Sequence, residues 1–149
     1  MFRSHLLLFS IAAASQASSY FVAIKNQCGY SVQVVAQTAV LTPYVVATLA
    51  PDEQHLGVFN ADRNHQTWSF KSGFAGKTTG RFYNSGFVTE TFEIDVTTGF
   101  DITMQIAPSS TVGSTITCLA ADCFAPATKK KLSVPGLVNS YTLTLCPSS

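Results

Sequence analysis

The chain has 149 residues, of which 46% are hydrophobic and 11% charged, and its formal net charge is +1 at pH 7. So weak and balanced a charge provides no field to gather nucleic acid or an anionic membrane, and neither is expected as a partner. The length suits one domain with a core of its own.

Arg3 and His5 precede an apolar run from Leu6 to Ala14, and Ser15-Gln16-Ala17 puts small residues where a signal peptidase reads them. This pattern predicts a signal peptide over residues 1–17, cleaved after Ala17 with Ser18 or Ser19 as alternatives. A secreted, extracellular domain over residues 18–149 would follow. The apolar run is too short to cross a bilayer, and no later stretch is apolar enough.

Beyond the leader, Phe21 to Lys25 is a strand candidate, Asn26 to Tyr30 has turn chemistry, and Ser31 to Gln37 alternates with Val32, Val34 and Ala36 on one side. A hairpin is the simplest arrangement. Tyr44 to Leu49, rich in β-branched residues, is a further strand, and Ala50 to Glu53 turns the chain into Gln54 to Phe59. Asn60 to His65 is a polar loop before the strand candidate Thr67 to Phe70. Gly73 to Arg81, with Lys71 before it, reads as a flexible cationic loop without the spacing of a phosphate-binding motif.

The clearest pattern runs from Thr91 to Pro108. Phe92, Ile94 and Val96 alternate with Glu93, Asp95 and Thr97, and after Thr98-Gly99-Phe100 the alternation resumes with Ile102, Met104 and Ile106. Period-two alternation predicts strands with one apolar and one polar face, and the short glycine-bearing connection predicts an antiparallel hairpin. Strand residues two apart point the same way and lie about 7 Å apart. Glu93 and Asp95 are therefore expected side by side, with Asp101 facing them from the partner strand. Ser109 to Ser114 is a small-residue linker, Thr117 to Pro135 a loop region in which Lys129-Lys130-Lys131 reads as solvated, and Tyr141 to Cys146 a last strand. No helix of useful length is predicted. Short strands separated by turns argue an all-β fold, an antiparallel β-sandwich or barrel.

Four cysteines in a secreted chain favour two disulfides over a metal site. Three pairings are open. If Cys118 and Cys123 close the small loop between them, Cys28 and Cys146 are left to clasp the two ends of the domain. His55 and His65 are the histidines that survive leader removal, and neither sits in a nucleophile or metal motif; no metal and no cofactor are expected.

The order of these motifs resembles a thaumatin-like protein. The opening FVAIKNQCGYSVQVVA is similar to that family's start, Leu49-Ala50-Pro51 and Thr67-Trp68 to its proline turn and tryptophan segment, and EIDVTTGFDITM (Glu93 to Met104) to its central segment. Cys118 to Cys123 with Pro126 looks like a compressed form of its later cysteine loop. The resemblance implies a β-sandwich with disulfide-stapled loops, a first cysteine bridged to the last, and an acidic cleft associated with β-1,3-glucans and host defence. Glu93 stands at the family's first cleft Asp, Thr98 replaces the second, and Asp101 stands where Asn is usual. The cleft Arg position is Phe70, with Lys71 one place along, and the family's other cleft Glu has no clear counterpart, Glu90 being near its place.

Glycoside hydrolysis needs a protonated acid and a carboxylate about 5 Å apart for retention or about 6.5–9.5 Å for inversion. Glu93, Asp95 and Asp101 are the candidates, against the plainer reading of a solvated strand face. The sequence thus predicts a small secreted binding protein, monomeric, presenting Glu93, Asp95, Asp101, Lys71 and Phe70 to a cell-wall glucan. The alternatives are an effector or hydrolase inhibitor acting on a protein partner, and a weak β-1,3-glucanase.

Overall fold

The computed structural model describes residues 18–61, 67–84, 89–109, 114–133 and 138–148. The leader with its cleavage site, His65 and Phe87-Val88 lie outside the described residues. Among the described residues eleven strands form two sheets: β1 (Ser18–Asn26), β2 (Val32–Gln37), β3 (Tyr44–Leu49), β4 (Gln54–Ala61), β5 (Thr67–Ser72), β6 (Thr79–Asn84), β7 (Thr89–Asp95), β8 (Met104–Pro108), β9 (Ile116–Cys118), β10 (Lys129–Ser133) and β11 (Val138–Leu145). One sheet has the order β4-β1-β11-β8-β9 and the other β10-β7-β6-β5-β2-β3. Every pairing is antiparallel except that of β1 with β11. The expected β-sandwich is present, and the described residues contain no helix.

Between the sheets lie the alternating apolar residues of both. Phe59, Trp68, Phe70, Phe82, Phe92 and Tyr141 form a chain of rings with centroids 4.7–6.5 Å apart. Beside them Ile24, Met104, Ile106 and Leu143 are fully buried. Asn26, also buried, ends β1 by donating from its amide to the carbonyls of Tyr30, Leu49 and Ala50. Disulfides join Cys28 to Cys146 and Cys118 to Cys123. The long bridge spans 118 residues and so removes the larger share of unfolded-chain entropy.

Both predicted hairpins are corrected. β1 and β2 lie in different sheets, and so do β7 and β8. Alternation specifies which face of a strand is buried; it does not specify the neighbour. In a sandwich both sheets bury one face against the same core, so a chain that crosses between them shows the alternation of a hairpin. The crossing after β7 uses Gly99 at φ 122°, a conformation open to glycine. The cationic loop is shorter than predicted, since Thr79 to Tyr83 belongs to β6. The three lysines begin β10, an edge strand paired with β7, in place of a solvated loop.

Candidate functional site

β7 sits between β10 and β6, which aligns Lys129, Glu93 and Arg81 in one row across the outer face of the six-stranded sheet. Phe92 and Ile94 point into the core, so Glu93 and Asp95 point out, as their alternation requires. Arg81 reaches both acids, with its guanidinium 2.7 Å from Asp95 and 3.6 Å from Glu93. Lys129 closes the row at 3.3 Å from the other Glu93 oxygen, its ammonium over the Tyr83 ring. Tyr83 and the Glu93 carboxylate hold the Lys129 ammonium above the usual lysine range.

Asp95 is more than a neighbour of Glu93. Burial works against its ionisation, but the Thr97 N–H, which donates to Oδ1 at 2.8 Å, the Thr97 hydroxyl and the Arg81 charge together outweigh it. Its carboxyl is thus held below the usual carboxylate range. The side chains of Glu93 and Asp95 keep only 17% and 11% of their exposure, so their charges are spent mainly on Arg81 and Lys129.

Asp101 does not face these acids. It lies on the crossing between sheets, where Oδ1 accepts the backbone N–H groups of Lys77 (2.9 Å) and Thr78 (2.7 Å) and Oδ2 accepts the Ser72 hydroxyl. The buried Thr78 hydroxyl in turn accepts the N–H groups of Asp101 and Ile102. This reciprocal clamp ties the crossing to the loop before β6. Phe70, expected at a ligand face, is wholly buried, because it alternates with Ser69 and Lys71 and takes the inward position. Lys71 is outward, and its ammonium donates to the Phe74 carbonyl at 2.8 Å. Glu90 is buried in the core and accepts the Tyr141 hydroxyl.

Two shallow grooves flank the Arg81–Glu93 pair. One, of about 370 Å³, is lined by Gln37, Thr67, Ser69, Arg81, Tyr83 and Glu93 among others. The other, of about 250 Å³, runs beneath the stapled loop, between Asp95 and Thr97 on one wall and Phe124 and Ala125 on the other. The backbone N–H of Ile94 donates to the Thr128 carbonyl and holds that loop against β7. Among the described residues no cluster of histidine, cysteine and carboxylate side chains could hold a metal ion.

Arg81, Lys129 and Tyr83 carry the geometry of this face, and the sequence reading placed Arg81 and Lys129 in loops. Thr79-Gly80-Arg81-Phe82-Tyr83 does hold a period-two signal, with Gly80 and Phe82 inward, but the surrounding glycines and lysines suggested a loop.

No family model matches the sequence, and no curated protein matches it. Solved structures do. The thaumatin-like xylanase inhibitor TLXI superposes with a TM-score of 0.60 at 16% identity, covering 85% of this chain and 99% of that one. The fold is thaumatin-like. The protein elicitor MoHrip2 from Magnaporthe oryzae superposes with a TM-score of 0.64 at 14% identity, covering 86% of this chain and 99% of that one. At these identities the thaumatin-like likeness lies in the backbone.

Proposed function

We propose that the chain is a secreted, non-catalytic binding protein of defence type. Its ligand is a neutral cell-wall polysaccharide, β-1,3-glucan first, held across the outer face of the six-stranded sheet. The observation that supports this reading is the groove lined by Gln37, Thr67, Ser69, Arg81, Tyr83 and Glu93. Sugar hydroxyls both donate and accept, and this lining mixes amide, hydroxyl, guanidinium, carboxylate and phenol groups that can answer them in either sense. Its cations and carboxylates offset one another, which suits a neutral polymer better than an anionic one. Asp101 and Phe70, assigned to the ligand face on sequence grounds, take no part; Lys71 lies at its margin.

Hydrolysis is disfavoured on chemical grounds. A glycosidase needs one carboxyl protonated at working pH, whereas Asp95 is held ionised and Glu93 lies between two cations. The two disulfides support an extracellular setting.

The decisive experiment is a pull-down of the oxidised domain on insoluble β-1,3-glucan, with cellulose and chitin as controls and the supernatant assayed for released sugar. The expected result is selective retention without release, weakened about tenfold by Gln37→Ala combined with Ser69→Ala. No retention on any polysaccharide would overturn the reading. A second reading, a partner that is itself a protein such as a wall-degrading hydrolase, is supported by the two structural neighbours, a xylanase inhibitor and a protein elicitor. It predicts inhibition of a xylanase or glucanase that the same double variant leaves intact.

A further inference from the structure

β4 is an edge strand of eight residues, QHLGVFNA, without one formally charged side chain. Edge strands present unpaired backbone groups and are ordinarily guarded. The other three edges of this sandwich show how: β10 begins with lysines, β9 is three residues long, and β3 is bent by a register shift opposite Val34 and Val35. β4 has no such guard among the described residues. Its outward side chains Leu56 and Val58 are 72% and 59% exposed, and Val58 pairs with Phe21 of β1, itself 39% exposed.

The backbone of β4 has a defined parity. Asn26 donates its N–H to the Glu53 carbonyl, which starts the hydrogen-bonded pairs of the β1–β4 ladder. In an antiparallel ladder such pairs alternate, so His55, Gly57 and Phe59 bond to β1 while Leu56 and Val58 turn both N–H and C=O away from the sheet. Asn60 follows the same parity, and its carbonyl accepts the Trp68 indole N–H at 3.0 Å. The open stretch is therefore centred on Leu56 and Val58. Gly57 between them is fixed by packing, since a Cβ there would meet the Phe59 ring at 2.5 Å.

We propose that a second copy of this chain docks on β4, strand to strand and antiparallel, on a twofold axis through Gly57. That register sets Leu56 of one copy opposite Val58 of the other, with two backbone hydrogen bonds for each such pair. It merges the exposed Phe21, Leu56 and Val58 of both copies into one apolar stripe. A twofold contact places each strand against itself, so a charged strand would repel its own copy; β4, uncharged throughout, does not. The five-stranded sheets of the two copies become one continuous sheet, and the grooves beside Arg81, on the opposite face of the sandwich, stay open. One strand pair with a short apolar stripe is a limited contact, so the dimer is weak and concentration-dependent. The sequence reading expects a monomer, and the measurement below decides between the two.

Sedimentation equilibrium of the oxidised chain from about 10 μM to about 1 mM tests the proposal. The expected result is a monomer–dimer equilibrium in that range. The variants Leu56→Lys with Val58→Lys, and Leu56→Glu with Val58→Glu, each lose at least about tenfold in self-affinity while keeping the near-ultraviolet circular dichroism of the parent. Mixing the lysine and glutamate variants restores dimers, because the register sets opposite charges face to face. A parent that stays monomeric throughout would overturn the proposal and leave the edge to some other extended segment. Lysine variants that dimerise like the parent, or mixtures that fail to recover, would overturn the register and the surface together.

Discussion

The outward residues of β7 and β6 in the six-stranded sheet include Glu93, Asp95 and Arg81, whereas those of β4 and β1 in the five-stranded sheet include Leu56, Val58 and Phe21. Polarity alone would present the first group to partners and hide the second. Exposure runs the other way: the two acids keep 17% and 11% of their side-chain surface, while Leu56 and Val58 keep 72% and 59%. The acids are screened by the cations beside them and by the stapled loop above Asp95. The apolar pair lies on an edge where no further strand arrives among the described residues. An outward charge is therefore not the same as an available charge, and an outward apolar residue on an unguarded edge offers more to a partner than its residue type suggests.

The largest effects should come from the core that both faces share. Phe70→Ala removes a ring packed against Phe59, Trp68 and Phe82 and should cost about 3–5 kcal/mol in chemical denaturation. Ser69→Ala, one residue along on the other face but itself buried, removes no ring and should cost only about 1 kcal/mol. Equal losses at both positions would break the inward–outward assignment of β5. Next comes Asp101→Ala, which strips the Lys77 and Thr78 N–H groups of their acceptor and should cost about 2 kcal/mol. It should leave glucan retention unchanged in a folded variant. Loss of retention with stability intact would return Asp101 to the ligand face.

How much of this was legible in the sequence follows from what alternation encodes. The inward set of β7, Phe92 and Ile94, and the outward set, Glu93 and Asp95, could be read directly, as could most strands and the bridge from Cys28 to Cys146 once the thaumatin-like resemblance was seen. Partnership between strands could not. Asp101 was paired with Glu93 because a short glycine-bearing link looked like a hairpin, yet the same link with Asp101 hydrogen-bonded to the Lys77 and Thr78 backbone carries the chain to the other sheet. Phe70 was misplaced for a related reason: a motif position was carried over from a family whose residue there is charged, although Trp68 and Phe70 already marked the inward side of β5. Arg81 was lost to the glycines around it. The partner of Asp101 is a long-range contact that local pattern does not record, whereas the alternation that places Phe70 and Arg81 lies in the sequence itself.

Arg81→Ala tests whether the charged row is a unit. The guanidinium serves two carboxylates at once and is itself 37% exposed, so the loss should fall between that of surface and buried pairs, about 1–2 kcal/mol. Arg81→Lys should recover only part of this, because a single ammonium cannot fork to both acids. Under the proposed function both variants also weaken glucan retention, whereas the β4 variants do not. A loss of retention at β4 with none at Arg81 would exchange the roles assigned to the two faces.

The smallest effect is also the most specific to Asp95. Its folded-state carboxyl titrates below the ordinary value of about 3.9 that it has in the unfolded chain. A group depressed in this way stabilises the fold fully above its unfolded value and loses that contribution as pH falls through its folded value. Because Arg81 is more than one-third exposed and water screens the pair, the contribution should stay below about 1 kcal/mol. Asp95→Asn should therefore be less stable than the parent at neutral pH, and the two should converge as the medium is acidified through the folded-state value. Molar salt should narrow the neutral gap by screening Arg81. A gap that persists unchanged in acid would mean that Asp95 acts through shape alone. The charged face would then owe its order to packing, as the apolar face does.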